Sequence, residues 1–197
     1  MCLIRLIARL TLVFTLATAS AAFAQADLWS HVSPAAGPQR LPAATVTDAQ
    51  LKSVASILHH QKPGSIWECE GADLDEMIRG VRFESIPMPG KQDVVLAEAP
   101  AGCARGGQGA NGAMWVIRFD GAKTTLLATP DAFDGWLFAV LPTMSHGYPD
   151  IVTGWHMSTF EAGLSYMRFD GKSYLSIGSA TLESDGAENV KIVPLPR

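Results

Sequence analysis

The chain has 197 residues, 48% of them hydrophobic and 17% charged, with 15 Lys and Arg against 19 Asp and Glu. That composition excludes wholesale disorder and a collagen-like rod, and the length suits one domain or two small ones. A net charge of −4, with no two basic residues adjacent, argues against binding a phosphate backbone, which needs clustered Lys and Arg.

Arg5 and Arg9, the apolar stretch Leu10 to Ala19 and the small-residue sequence Ser20-Ala21-Ala22-Phe23-Ala24 follow one another in the order of an export signal. Cleavage is expected after Ala24, with Ala24-Gln25-Ala26 as a second register. A membrane anchor is the rival reading, but the alanines and threonines make the stretch only weakly apolar. Residues 1–24 therefore read as a signal peptide, and the protein as periplasmic or secreted with no membrane span after signal removal. Cys2 leaves with the signal, as do two arginines, so the mature chain is more acidic still. Cys69 and Cys103 remain. In an oxidising compartment such a pair implies one structural disulfide, and neither has the C-x-x-C neighbour of a redox or metal pair.

Residues 25–46 carry Pro34, Gly37, Pro38 and Pro42 among small residues and read as an extended lead-in rather than a packed element. The remainder, 47–197, reads as a single globular domain. Thr47 with Gln50 three residues later is a capping-box pattern, Leu51, Val54, Ala55 and Leu58 form one helical stripe, and Pro63-Gly64 stops it. Consecutive His59-His60 point about 100° apart on a helix, too divergent for one ion, and suit the helix C-terminus instead. A shorter helix is expected from Asp73 to Arg79, where Asp73 and Glu76 repeat the capping pattern.

From Val81 onward, short apolar and β-branched runs alternate with Gly, Pro, Asn and Asp, the pattern of an antiparallel β protein. The expected strands lie at Val81 to Phe83, Val94 to Leu96, Met114 to Phe119, Thr124 to Leu127, Trp136 to Leu141, Ile151 to Thr153, Leu164 to Phe169, Tyr174 to Ile177 and Val190 to Val193. The Gly-rich stretch 101–112 lacks the Lys-Ser/Thr of a phosphate loop and reads as a hairpin loop. Trp115 and Trp136 read as core, Trp67 as packing over the disulfide, and Trp29 as either a tether or an exposed anchor.

Arg118-Phe119-Asp120-Gly121 recurs as Arg168-Phe169-Asp170-Gly171, each copy after an apolar strand and before another. Asp-Gly suits a two-residue hairpin turn. Upstream of each lies an Asp-led run, Asp93-Val94-Val95-Leu96 and Asp150-Ile151-Val152. The fold class expected is α+β, mainly antiparallel β: an N-terminal helix, then two blade-like β repeats near 90–130 and 147–180, forming an incomplete propeller or a twisted sheet.

Gly147-Tyr148-Pro149-Asp150-Ile151-Val152 resembles the Gly-x-Pro-Asp-Leu-Val element of FG-GAP-like blades. The run Tyr166 to Tyr174 resembles the strand-turn-strand that follows it. Over roughly residues 90–180 the chain is similar to small exported bacterial proteins, some of which act as lysozyme inhibitors or immunity proteins. Thr143, Met144, Ser145 and His146 stand where such blades carry calcium-binding carboxylates, so calcium is not carried over.

The sequence shows no G-x-S-x-G elbow and no zinc-protease spacing, and no catalytic residue, metal or cofactor is assigned. Aromatic and His side chains on loops beside a sheet favour a binding surface, and Tyr148, Trp155, His156 and Glu161 are expected to form it. Asp150 and Asp170 have structural accounts at a strand start and a turn; Glu161 has none. The leading expectation is a non-enzymatic binding module whose partner is a protein or cell-envelope component, with inhibition or immunity as its sharpest form. The alternatives are a periplasmic hydrolase using His146, His156 and Glu161, with zinc as the suited metal, and a structural envelope domain.

Overall fold

The computed structural model describes residues 27–60, 74–90, 93–100, 111–130, 133–186 and 189–196. The export signal, both mature cysteines, Trp67, Asp73 and the Gly-rich run 101–110 lie outside them.

The capping box at Thr47 is made as the spacing predicts. The Gln50 side-chain carbonyl accepts the Thr47 N–H at 2.9 Å, and the Thr47 hydroxyl accepts the Gln50 N–H at 3.3 Å. Helix α1, Asp48–His60, buries Val54 and Leu58 of the expected stripe, and the His60 ring N–H donates to the Ser56 carbonyl in its last turn. A short α2, Leu74–Arg79, follows. Both helices pack on the first strands through Ile78, Val95, Trp115 and Ile117.

The rest is antiparallel β. The strands are β1 Arg82–Ser85, β2 Asp93–Glu98, β3 Gly112–Asp120, β4 Lys123–Ala128, β5 Asp134–Ser145, β6 Tyr148–His156, β7 Glu161–Phe169, β8 Tyr174–Ser184 and β9 Val190–Pro194. They make one unclosed sheet in the order β1-β2-β3-β5-β6-β7-β8-β9, with β4 paired to β3. The continuity between β3 and β5 is slight. Only Gly112↔Gly135 and Ala113↔Asp134 pair before β4 takes over that edge of β3 from Val116 onward. The sheet thus divides into halves, β1–β4 and β5–β9. Val94, Leu96, Met114 and Val116 of the first share one apolar cluster with Leu137, Ile151, Met167 and Tyr174 of the second.

Both copies of Arg-Phe-Asp-Gly sit at hairpins, and the two turns differ. Asp120 pairs with Lys123, so the central residues of the first are Gly121 and Ala122, with Gly121 at φ +64°. The expected Asp-Gly pair is displaced by one residue. In the second, Phe169 pairs with Tyr174, and the Asp170 carboxylate accepts the N–H groups of Lys172 and Ser173, each at 2.8 Å. Those two bonds hold the Asp170 carboxyl below its usual range.

The lead-in is packed, contrary to the expectation of an extended, unpacked segment. Trp29 and Val32 are buried against Phe138, Val152 and Leu164 on the outer face of the second half. The Trp29 ring meets Tyr166 edge-on at 5.7 Å. Gln39 then bonds the irregular part of β5, donating its N–H to Leu137 and accepting the Val140 N–H at 2.7 Å. Leu41 is buried, and Pro42 and Ala44 bond the edge of β1. Composition misleads here because prolines suit a strap whose side chains are buried one at a time. Trp29→Ala should lower unfolding free energy by about 3 kcal/mol in urea titrations, in line with large-to-small core changes. A loss under about 0.5 kcal/mol, the usual ceiling for a surface change, would mean that the strap does not hold the fold.

Candidate functional site

Three concave or projecting regions carry the chemistry-bearing side chains, and β6 connects two of them. At its first end, the β5–β6 turn is His146-Gly147, both with positive φ, at +52° and +81°. A left-handed conformation is natural for Gly and uncommon for His. The turn overlooks a depression of about 330 Å³ lined by Ser145, His146, Arg168, Phe169, Asp170 and Leu175.

Behind the depression lies Asp150, only 1% exposed. Its carboxylate accepts the hydroxyls of Thr143 and Tyr166 at 3.1 Å and of Ser145 at 2.9 Å, and it is paired with the Arg168 guanidinium at 3.1 Å. A buried carboxylate is tolerable only with its lone pairs occupied in this way. The pairing raises the Arg168 guanidinium further, against the opposing effect of its partial burial. Burial pushes the Tyr166 phenol up, and also that of Tyr174, whose hydroxyl donates to the Pro149 carbonyl at 2.9 Å. Tyr148 belongs to the same interior. It is 5% exposed, its ring lies 4.2 Å from that of Phe169, and its hydroxyl accepts an N–H from Arg118 at 2.9 Å. Tyr148 is therefore core, and its expected place on a binding surface is corrected. Alternation does not decide its exposure, because β6 is buried on both faces from Tyr148 to Gly154.

The second end of β6 carries the other three expected residues. His156 is exposed, its ring 4.4 Å from that of Trp136, and Asn111 brackets its backbone, accepting the His156 N–H at 2.7 Å. Trp155 is half-buried, its ring lying over Gly163, where a Cβ would overlap it. Glu161 is exposed at the start of β7. Between them the tip is held by its own hydrogen bonds. Met157 and Ser158 donate N–H groups to the Glu161 carbonyl at 3.2 and 3.0 Å, and the Phe160 carbonyl accepts from Ser184 at 2.9 Å. The Ser158 hydroxyl is spent in the turn, accepting the Phe160 N–H at 3.3 Å. Phe160 and Met157, 57% and 56% exposed, are the most exposed large apolar side chains among the described residues. Neither is among the four residues expected at the surface, because a Met and a Phe beside a strand look like core until the register is known.

The geometry separates the residues of the hydrolase reading. His146 is at one end of a nine-residue strand and His156 and Glu161 are at the other, roughly 30 Å apart at the rise of an extended chain. His146 cannot share an ion or a substrate bond with them, so that constellation is withdrawn.

The third region is a cleft of about 450 Å³ between the two halves, walled by Arg40, Arg82 and Glu98 on one side and Trp136 and Leu137 on the other. Trp136 is half-buried in this wall rather than in the core as expected. Arg40 and Arg82 both contact Glu98 and the buried Glu84, whose carboxylate also accepts the Leu41 N–H at 3.1 Å. This cluster fastens the strap to β1. No family model, curated protein or solved structure matches the chain.

Asp150→Ala should destabilise by about 2–3 kcal/mol in denaturant titrations, below the full cost of a broken buried pair because Arg168 is 43% exposed. An unchanged midpoint would show the network to be dispensable. A second expectation concerns alkaline pH. The fold favours the protonated phenols of Tyr166 and Tyr174, so the stability they confer is complete below the unfolded value of 10.0 and is lost as pH rises above it. Their tyrosinate absorbance should therefore grow together with loss of the β-sheet circular dichroism signal. Ionisation of all three tyrosines in a chain that keeps its native signal would contradict it.

Proposed function

We propose that this chain is an exported, non-enzymatic binding module that engages a protein of the cell envelope through its β6–β7 hairpin. In its sharpest form it is an inhibitor or immunity protein for a cell-wall hydrolase. The observation that carries the reading is that Met157 and Phe160 are both exposed on a tip whose backbone is already fixed by hydrogen bonds. Large apolar side chains in water are poorly placed for stability and well placed for contact. A tip ordered in advance loses little entropy on binding. His156 and Glu161 at the same tip supply polar contacts at the rim.

The signal-like residues 1–24 support export, and the likeness of residues 90–180 to small exported inhibitor and immunity proteins supports the hydrolase target. On the same likeness, the stretches near 90–130 and 147–180 are read as two blade-like units of an incomplete propeller or a twisted sheet. Two strand-hairpin-strand segments ending in Arg-Phe-Asp-Gly support that reading.

The test is capture from envelope extract by tagged, oxidised residues 25–197, followed by inhibition assays on purified cell-wall hydrolases. The control is the Met157→Ala/Phe160→Ala variant, whose melting temperature should stay within about 3 °C of the parent because both side chains are exposed. One stoichiometric hydrolase retained and inhibited by the parent and lost with the variant is the expected result. Empty captures from parent and variant alike, with no hydrolase inhibited, would count against a binding role. Tyr148→Ala is unsuited as a control, since it opens the core.

A further inference from the structure

The hairpin carries a charge that the fold leaves uncompensated. Glu161 of β7 stands directly opposite Glu183 of β8, and Glu183 directly opposite Lys191 of β9. Residues opposite one another share a face, and like charges in that relation are unfavourable. Lys191 settles on Glu183 at 2.8 Å, which leaves Glu161, among the described residues, with the Ser158 hydroxyl alone, at a long 3.5 Å. Four other carboxylates of the sheet are paired. Glu84, Glu98, Asp120 and Asp150 each have an arginine partner. Glu161 has no cationic partner among the described residues.

Resting on the reading of this hairpin as a docking element, we propose that its partner is a basic protein. Glu161 is held ready for a guanidinium or ammonium group on that surface, beside an apolar recess for Met157 and Phe160. The physical reason is contiguity. Met157 and Ser158 both bond the Glu161 carbonyl, and the Ser158 hydroxyl lies 3.5 Å from its carboxylate, so a partner that covers the 157–158 side of the tip takes the carboxylate out of water. A neutral or acidic surface would leave that charge buried and unpaired, which is strongly unfavourable. A basic surface converts the same desolvation into an ion pair and relieves the repulsion from Glu183. The chain's net charge of −4 would speed the encounter with such a partner.

The experiment measures binding of residues 25–197, parent and Glu161→Gln, to a basic lysozyme and to the same lysozyme with its lysines acetylated, together with the melting temperature of each variant. The parent should bind the native probe, lose affinity on acetylation, and weaken as salt is raised from about 20 to about 200 mM. Glu161→Gln should raise Kd by about tenfold, the effect of losing one ion pair worth about 1.4 kcal/mol. Its melting temperature should be equal to the parent's or higher by about 1–3 °C, because a repulsion has been removed. A structural role for Glu161 would instead lower that temperature by several degrees, and this would overturn the proposal. Binding that neither acetylation nor Glu161→Gln changes by more than twofold would overturn the basic partner while leaving a binding module. Failure of the parent to bind either probe would overturn the basic partner and the lysozyme form of the hydrolase reading together.

Discussion

Because β3 shares only Gly112 and Ala113 with β5 before β4 takes its edge, side chains and not a continuous ladder must hold the two halves of the sheet together. Everything else in the molecule answers to that constraint. The apolar cluster from Leu41 to Tyr174 fills the space between the halves. The helices cover the outer face of the first half, and the strap from Trp29 covers that of the second. The wedge that remains where the ladder stops is the cleft between Arg82 and Trp136.

Two buried carboxylates reinforce the arrangement, and each does so at a place where backbone pairing alone is insufficient. Glu84 gathers Arg40, Arg82 and the Leu41 N–H, joining the strap to the edge of β1. Asp150 gathers Thr143 and Ser145 from β5 and Tyr166 and Arg168 from β7, binding three neighbouring strands across a stretch where the β5–β6 register shifts between Val140 and Met144. Hydroxyls and guanidinium together satisfy the carboxylate so fully that it serves the register. The exposed Glu161 has only the long bond from the Ser158 hydroxyl among the described residues.

Much of this was legible in the sequence, and the reasons are local. Thr47 and Gln50 specify their cap within one helical turn, and every expected strand from β1 to β9 forms, because period-two patterning between turn residues is a short-range signal. What was hidden depends on partners distant along the chain. Gln39 meets Val140 across 101 residues, and Leu41 meets Glu84 across 43, so a proline-rich segment that looked loose is in fact seated. At the candidate site, His156 and Glu161 lie on the expected exposed hairpin and Trp155 half-exposed beside it, while Tyr148 turns inward. β6 is covered on both faces from Tyr148 to Gly154, and that cover comes from elements distant along the chain.

The strap has a consequence for how the molecule opens. It touches the outer face of one half at Trp29, the middle of β5 at Gln39 and the edge of β1 at Pro42 and Ala44. Neither half can swing away while the strap stays in place, and the strap cannot lift without uncovering both. Amides under Gln39 and those along the edge of β1 are therefore members of one cooperative unit, exchanging with solvent through a shared opening and not through the independent fraying of two small sheets.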